Sequence, residues 1–206
     1  FEYQINRLTP GFVEDFERYV NEQFHKDLSQ TKTQQMRTIP ISRSLTPELH
    51  VEPYNDIRAY VRNFKSDISV ANCVCRQSTD VTGGTCRHSD IRETCMQFGS
   101  AARWCIEKGV GRAVTNEEAL AILDRAEEAG FILQPQNAQA PKFLCCCCVD
   151  CCHALKVMNM HPRPAELFTS NYHVIVETSL CTGCAQCVGR CGMKAIGMSG
   201  DVAVVD

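Results

Sequence analysis

No cysteine occurs in the first 72 residues of this 206-residue chain, tryptophan occurs once, and neither sign of charge dominates. Lys plus Arg is 21 and Asp plus Glu is 24, a net charge of −3. That balance excludes the strongly basic character of a phosphate-binding chain, so nucleic acid is not an expected partner. No stretch approaches the roughly 20 apolar residues of a membrane span. The start, Phe1-Glu2-Tyr3-Gln4-Ile5, has no charged region leading into an apolar run. A soluble, cytoplasmic protein is expected. Also missing are a Gly-rich phosphate loop, a dinucleotide fingerprint and a His-Glu-x-x-His motif. The histidines at 25, 50, 88, 153, 161 and 173 do not pair at metal-ligand spacing, and no catalytic residue is assigned. The length fits one large or two small domains with a real core. The chain begins without Met, and a longer native polypeptide is expected.

What the sequence does have is 15 cysteines, all between Cys73 and Cys191. A secreted disulfide scaffold is usually shorter and evenly laced, whereas these thiols come in tight groups with adjacent pairs poorly placed to bridge one another. Metal sites explain the clustering better. Thiolates are soft ligands that select zinc, Cu(I) or iron–sulfur clusters, so spacing must decide the metal.

The cysteine-free segment reads as helical. Thr9-Pro10 is a helix start, and Phe12, Phe16, Tyr19, Val20 and Phe24 give one apolar face over about 10–28, expected to pack in the core rather than against a cofactor. Thr38 to Ile41 suits an edge strand or extended connector. Pro53 is expected to open a second helix carrying Tyr54, Ile57, Tyr60, Val61 and Phe64. Ile68 to Val74 reads as a strand that delivers ligands at its end, 79–85 as a loop and 90–108 as a helix with Ile91, Cys95, Phe98, Ala102 and Cys105 near one face, Cys105 packing in the core. Thr115 followed by Glu118 is a capping box that opens a helix, and Gly130 ends it. Gln134 to Pro141 looks like a linker, Tyr172 to Glu177 a strand, and Lys194 to Met198 with Val202 to Val205 a hairpin around Ser199-Gly200-Asp201.

Three cysteine groups follow. In Cys181-x-x-Cys184-x-x-Cys187-x-x-x-Cys191, small residues in a tight loop let thiolates converge on one iron–sulfur cube, and zinc sites rarely use successive two-residue gaps. Cys73, Cys75, Cys86 and Cys95 form a four-thiolate set with irregular gaps, for which an iron–sulfur cluster is expected and zinc is the rival. The third group, Cys145-Cys146-Cys147-Cys148-Val149-Asp150-Cys151-Cys152-His153, is expected to enter a helix near Cys147, so that Cys148, Cys151 and Cys152 share a face. Its expected ligands are Cys145, Cys148, Cys151 and Cys152, with Cys147 as substitute. His153 is expected on a helix surface.

On these residues the segment from Asn171 to Asp206 resembles one half of a bacterial two-cluster ferredoxin. It departs from that pattern at Gly192, where the family usually has Pro, and it lacks the second cysteine run that would follow Val205-Asp206. In such ferredoxins the fourth cysteine of a run reaches the other cube, which for Cys191 implies a partner run or a thiol from elsewhere. The chain from about Glu48 onward also resembles a family of anaerobic iron–sulfur proteins. There a Cys-x-Cys-Arg strand end and a Cys-Cys-rich segment precede a ferredoxin domain. The matching residues are Cys73-Val74-Cys75-Arg76, the region Gly109 to Gly130, and Cys145 to Cys152.

The expected fold is therefore α+β, with an N-terminal helical region (1–67), a cysteine-ligated central module (68–165) and a ferredoxin-like unit (166–206). The resemblance implies electron transfer through two or three 4Fe-4S clusters, as carrier or subunit of an anaerobic redox system, with a redox protein or larger oxidoreductase complex as partner. Two other readings stay open. One is a zinc-stabilised scaffold or regulator, and the other is a redox enzyme with an unusual cluster at 145–152.

Overall fold

The Oγ1 of Thr9 accepts the N–H of Phe12, and Pro10 supplies the fixed φ of a first helical residue, so helix α1 spans Pro10–Tyr19. A π-helical turn at Val20–Phe24 and α2, His25–Gln30, continue it. The computed structural model describes residues 2–41, 55–167 and 169–206. Its architecture is mixed, with helices around an antiparallel five-stranded sheet and a separate two-stranded sheet, which is the expected α+β class. The chain divides into two compact units, one ending at Thr169 and the other running from Ser170 to Asp206. Among the described residues no helix is long and apolar enough to cross a membrane.

In the first unit, Asp56 caps α3 (Ile57–Asn63) by accepting the N–H of Ala59 at 2.9 Å. The expected start at Pro53 and Tyr54 lies outside the described residues. The strands are β1 (Ile68–Asn72), β2 (Glu93–Phe98), β3 (Gly111–Val114), β4 (Ile132–Pro135) and β5 (Phe143–Cys147). They pair antiparallel in the order β3-β1-β2-β5-β4. Between them lie α4 (Val74–Val81), α5 (Ser100–Glu107) and α6 (Asn116–Glu128), and α7 (His153–Met160) follows β5.

Because side chains alternate along a strand, the sheet buries two different faces. Ile68 and Val70 of β1, Met96 and Phe98 of β2, Leu133 of β4 and Leu144 and Cys146 of β5 join Ile57, Val61, Ile122 and Leu123 in one core. Ala71 and Cys95, one residue out of phase, belong to a second cluster with Ile5, Val74, Cys105 and Val110. Cys105 is buried on α5, as expected.

Thr115 caps the helix as read, its Oγ1 accepting the N–H of Glu118 at 3.2 Å, while the Glu118 carboxylate turns to Arg112 at 2.7 Å instead of closing the box; Gly130 at φ +74° ends the helix. Thr115→Ala should cost about 1 kcal/mol of stability, measurable as a lower denaturation midpoint with unchanged denaturant dependence.

Several expectations are corrected. Residues 93–98, read as part of a helix, form β2, because Gly99 at φ +60° ends the strand before α5 begins. The 79–85 loop starts later than read, since α4 extends through Val81 and carries Cys75 with it. Cys145 to Cys147 are in a strand, and the helix starts at His153 rather than near Cys147. Gln134 and Pro135, read as linker, belong to β4. Of the two readings of Thr38 to Ile41, the connector is the one found, with one isolated bridge, Ile39 to Leu133. In the N-terminal stripe Val20 is buried while Phe12 and Tyr19 are exposed, and Val13, outside the stripe, is the buried residue of α1.

In the second unit, Tyr172 to Glu177 forms no strand. A 3-10 turn at Thr178–Leu180 leads into the cysteine loop and the short helix α8 (Gln186–Arg190). Strands β6 (Ile196–Ser199) and β7 (Val202–Val205) make the expected hairpin, turning at Gly200 with φ +59°.

Candidate metal centres

The run Cys145 to Cys148 is contiguous in sequence, yet strand alternation deals its thiols to opposite sides. Cys146 and Cys148 enter the core that contains Leu144 and Val70. Cys145 lies beside Cys95 in the β2–β5 register, and Cys145 and Cys147 line a cavity of about 300 Å³. The same cavity is walled by Cys73, Cys75, Cys95, Cys146 and Cys152. Three separate segments thus supply its thiols: the β1–α4 junction, β2, and β5 with the start of α7.

Cys73 and Cys152 hold equivalent positions at the start of a helix, each in extended backbone and each capping an eight-residue helix, Cys73 after β1 and Cys152 after the turn at 149–151. Thiols there are favoured as thiolates by the helix N-terminus. A hydrogen bond from the Cys75 thiol lowers the Cys73 pKa against the opposing effect of burial, with help from the charge and backbone N–H of Arg76. Hydrogen bonds from Cys147 and Cys75 hold the Cys152 thiol well below its ordinary value, again against burial, and the N–H groups of Leu155 and Ala154 add to this. Cys75 and Cys147 are raised by donating those bonds, Cys75 chiefly to Cys152 and Cys147 chiefly to Cys145. Cys73, Cys75, Cys152, Cys147 and Cys145 therefore influence one another in succession around the cavity they line. Gln97 Nε2 donates to Cys95 Sγ at 3.2 Å beside them.

Phe16, Tyr19 and Phe24 of the N-terminal helix line this same cavity together with Met36, which corrects the expectation that the aromatic stripe packs in the core. His153, expected on a surface, is buried edge-on against Phe16 with ring centroids 5.0 Å apart. Burial pushes its pKa down to about 4, with Lys156 acting in the same direction. Neutral imidazole is the form that fits there.

Cys86, grouped in the sequence with Cys73, Cys75 and Cys95, is placed elsewhere. Its Sγ is 3.6 Å from Cys148 Sγ and 3.9 Å from Asp150 Oδ1. With Cys151, these residues form the one group among the described residues in which at least three metal-capable ligand atoms all lie within 4.8 Å of one another. Asp150 is a participant that spacing of cysteines alone does not reveal. The signal for it was its place inside the Cys148-x-Asp150-Cys151 turn.

Between the two thiol groups lies Arg76, with no solvent exposure. Its Nη atoms donate to the Cys146 carbonyl at 3.3 and 3.4 Å and to Cys148 Sγ at 3.5 Å, and Nη2 also donates to Thr94 Oγ1. Its guanidinium carbon stands 4.3 Å from the centre of the Phe131 ring. Its Nε is buried with no partner, and among the described residues no carboxylate pairs with it. Burial works against the charge, but the thiols of Cys73 and Cys148 outweigh it and raise the pKa. A permanently charged group in this position calls for anionic sulfur around it.

In the second unit, Cys181, Cys184, Cys187 and Cys191 surround the loop and α8. Gly183 has φ +72°, and a Cβ there would meet the Asp201 carbonyl at 2.9 Å, so this tight loop requires glycine. The N–H of Ala203 donates to Cys181 Sγ at 3.4 Å. Cys184 is lowered, chiefly by the N–H of Gln186 and then by the Thr182 hydroxyl. Cys184 and Cys187 are exposed, and Cys181 and Cys191 are half-buried.

No family model, curated protein or solved structure matches this chain.

Proposed function

We propose that the chain carries electrons through 4Fe-4S clusters, one in the cysteine-walled cavity and one in the 181–191 loop, for a redox protein or a larger oxidoreductase complex. The observation that carries this reading is the cavity itself. Its thiols arrive from three segments and follow one another around about 300 Å³ of space. They are not gathered at a single point, since the only tight group among the described residues lies elsewhere. A polynuclear group would span such a ring, and a single ion would reach few of its members.

The donor set fits iron–sulfur chemistry: thiolates favoured at helix starts, backbone N–H groups directed at sulfur, and a buried guanidinium to balance negative charge. Four of Cys73, Cys75, Cys145, Cys147 and Cys152 would hold the cavity's cluster, one to each iron, with Cys95 at its edge. Cys181, Cys184 and Cys187 would hold the second, with its fourth ligand either Cys191 or, as the resemblance to half of a two-cluster ferredoxin implies, a thiol from outside the run. When bound, the clusters supply reversible one-electron chemistry. The chain supplies cover from water through Phe16, Tyr19 and Phe24, and solvent access at Cys184 and Cys187, where a partner could approach.

Protein purified without oxygen should be brown and carry about eight irons with a similar amount of acid-labile sulfide, four for each of two cubes. Iron and sulfide analysis on quantified protein tests this directly. Full metal content as zinc, with no sulfide, would overturn it.

A further inference from the structure

The tight group formed by Cys86, Cys148, Asp150 and Cys151 is built differently from the cavity. Around a tetrahedral zinc, bonds of about 2.3 Å to sulfur and about 2.0 Å to oxygen place neighbouring sulfurs about 3.8 Å apart and sulfur about 3.5 Å from oxygen. The Cys86–Cys148 distance is 3.6 Å and the Cys86–Asp150 distance is 3.9 Å. All four ligand atoms lie within 4.8 Å of one another.

We infer that Cys86, Cys148, Cys151 and Asp150 bind one zinc ion as a closed, structural S3O site, separate from the clusters of the cavity. Independent features of the surroundings support it. The carboxylate of Asp150 is oriented by the N–H of Arg87, which donates to Oδ2 at 2.7 Å and leaves Oδ1 on the side of Cys86. This is the outer-shell support that ligating carboxylates receive. The N–H groups of His88 and Ser89 face the Cys86 sulfur. Zinc with three thiolates and one carboxylate carries a net charge of −2, from +2 and four anions. The fully buried Arg76, which touches Cys148 Sγ at 3.5 Å and has an unpartnered Nε, supplies a compensating cation.

The consequence is structural. Residues 82–92 between α4 and β2 form a long connection without regular structure. Cys86 is the point at which an ion would tie this connection to the turn between β5 and α7. All four positions are filled by protein, so no open site for substrate remains.

The test uses the full chain, purified without oxygen from cells supplied with both iron and zinc. Wild-type protein should contain one zinc per chain in addition to its iron. Zinc-edge X-ray absorption should show three sulfurs near 2.3 Å and one oxygen or nitrogen near 2.0 Å. Cys86→Ala should lose the zinc and keep the iron and sulfide. Asp150→Asn, a milder change, should weaken zinc retention by roughly 10-fold or more in a chelator competition. It covers the case in which Cys86→Ala does not fold. Absence of stoichiometric zinc, a shell of four sulfurs, or loss of four irons in Cys86→Ala would each overturn the proposal. Missing iron with zinc retained would overturn the electron-transfer reading and leave this one standing, and the reverse result would do the opposite.

Discussion

Arg76→Met should destabilise the metal-loaded protein by about 3 kcal/mol or more and lower its retained metal, a larger effect than any surface substitution in the chain. Methionine approximates the volume of the arginine stem, so the change tests charge and hydrogen bonding more than packing. The guanidinium has no solvent exposure and lies between the two thiol groups, touching Cys148 Sγ, the Cys146 carbonyl and Thr94. Removing it leaves anionic sulfur buried without its cation and takes away the hydrogen bonds donated to the Cys146 carbonyl and Thr94 Oγ1. Arg76→Lys separates the two contributions. A lysine keeps the charge but cannot bridge Cys146, Cys148 and Thr94 at once, so it should fall between wild type and Arg76→Met. Thermal unfolding with parallel metal analysis reads both effects. If the metal-loaded Arg76→Met protein is as stable as wild type, with the same metal content, the charge-balancing role assigned to this residue is wrong.

The parts of the fold legible in the sequence are those set by contacts within a few residues. Thr9 with Pro10, Thr115 with Glu118, Gly130, and the Ser199 to Asp201 turn all act locally, and each is found where it was read. Errors arise where a non-local partner decides. Cys95 and Phe98 continue a helical period into Ala102 and Cys105, but β1 and β5 flank residues 93–98 and satisfy their backbone groups as a strand. Tyr172 to Glu177 has strand-forming residues but no pairing strand among the described residues. The cysteine groups show the same limit. Cys145 to Cys148 reads as one ligand group along the chain, yet a period of two separates its members onto two faces, and Cys86 joins Cys148 across 62 residues. Thiol count and the presence of metal-type clustering are visible in the sequence. Which thiols share a site depends on sheet register, which no spacing between cysteines encodes.

Cys152→Ser should remove about half of the iron, close to four atoms per chain, while leaving the iron held by the second unit. Cys152 is buried, caps α7, and lies in contact with both Cys147 and Cys75, so it joins the β5 side of the cavity to the α4 side. Serine keeps the shape and can still accept backbone N–H groups at the start of α7, which limits direct damage to the helix. It does not replace a soft thiolate. Cluster binding and folding are coupled, so the variant's melting temperature should also fall, and by more than that of Cys184→Ser, whose thiol is exposed in the second unit. The paired variant is the informative control. Cys184→Ser should lose its own four irons and retain those of the cavity, and the double variant should lose nearly all iron. Two independent losses of about four irons would establish two separate cluster sites. Full iron retention in Cys152→Ser would remove the cavity from consideration as a cluster site, whatever the second unit holds.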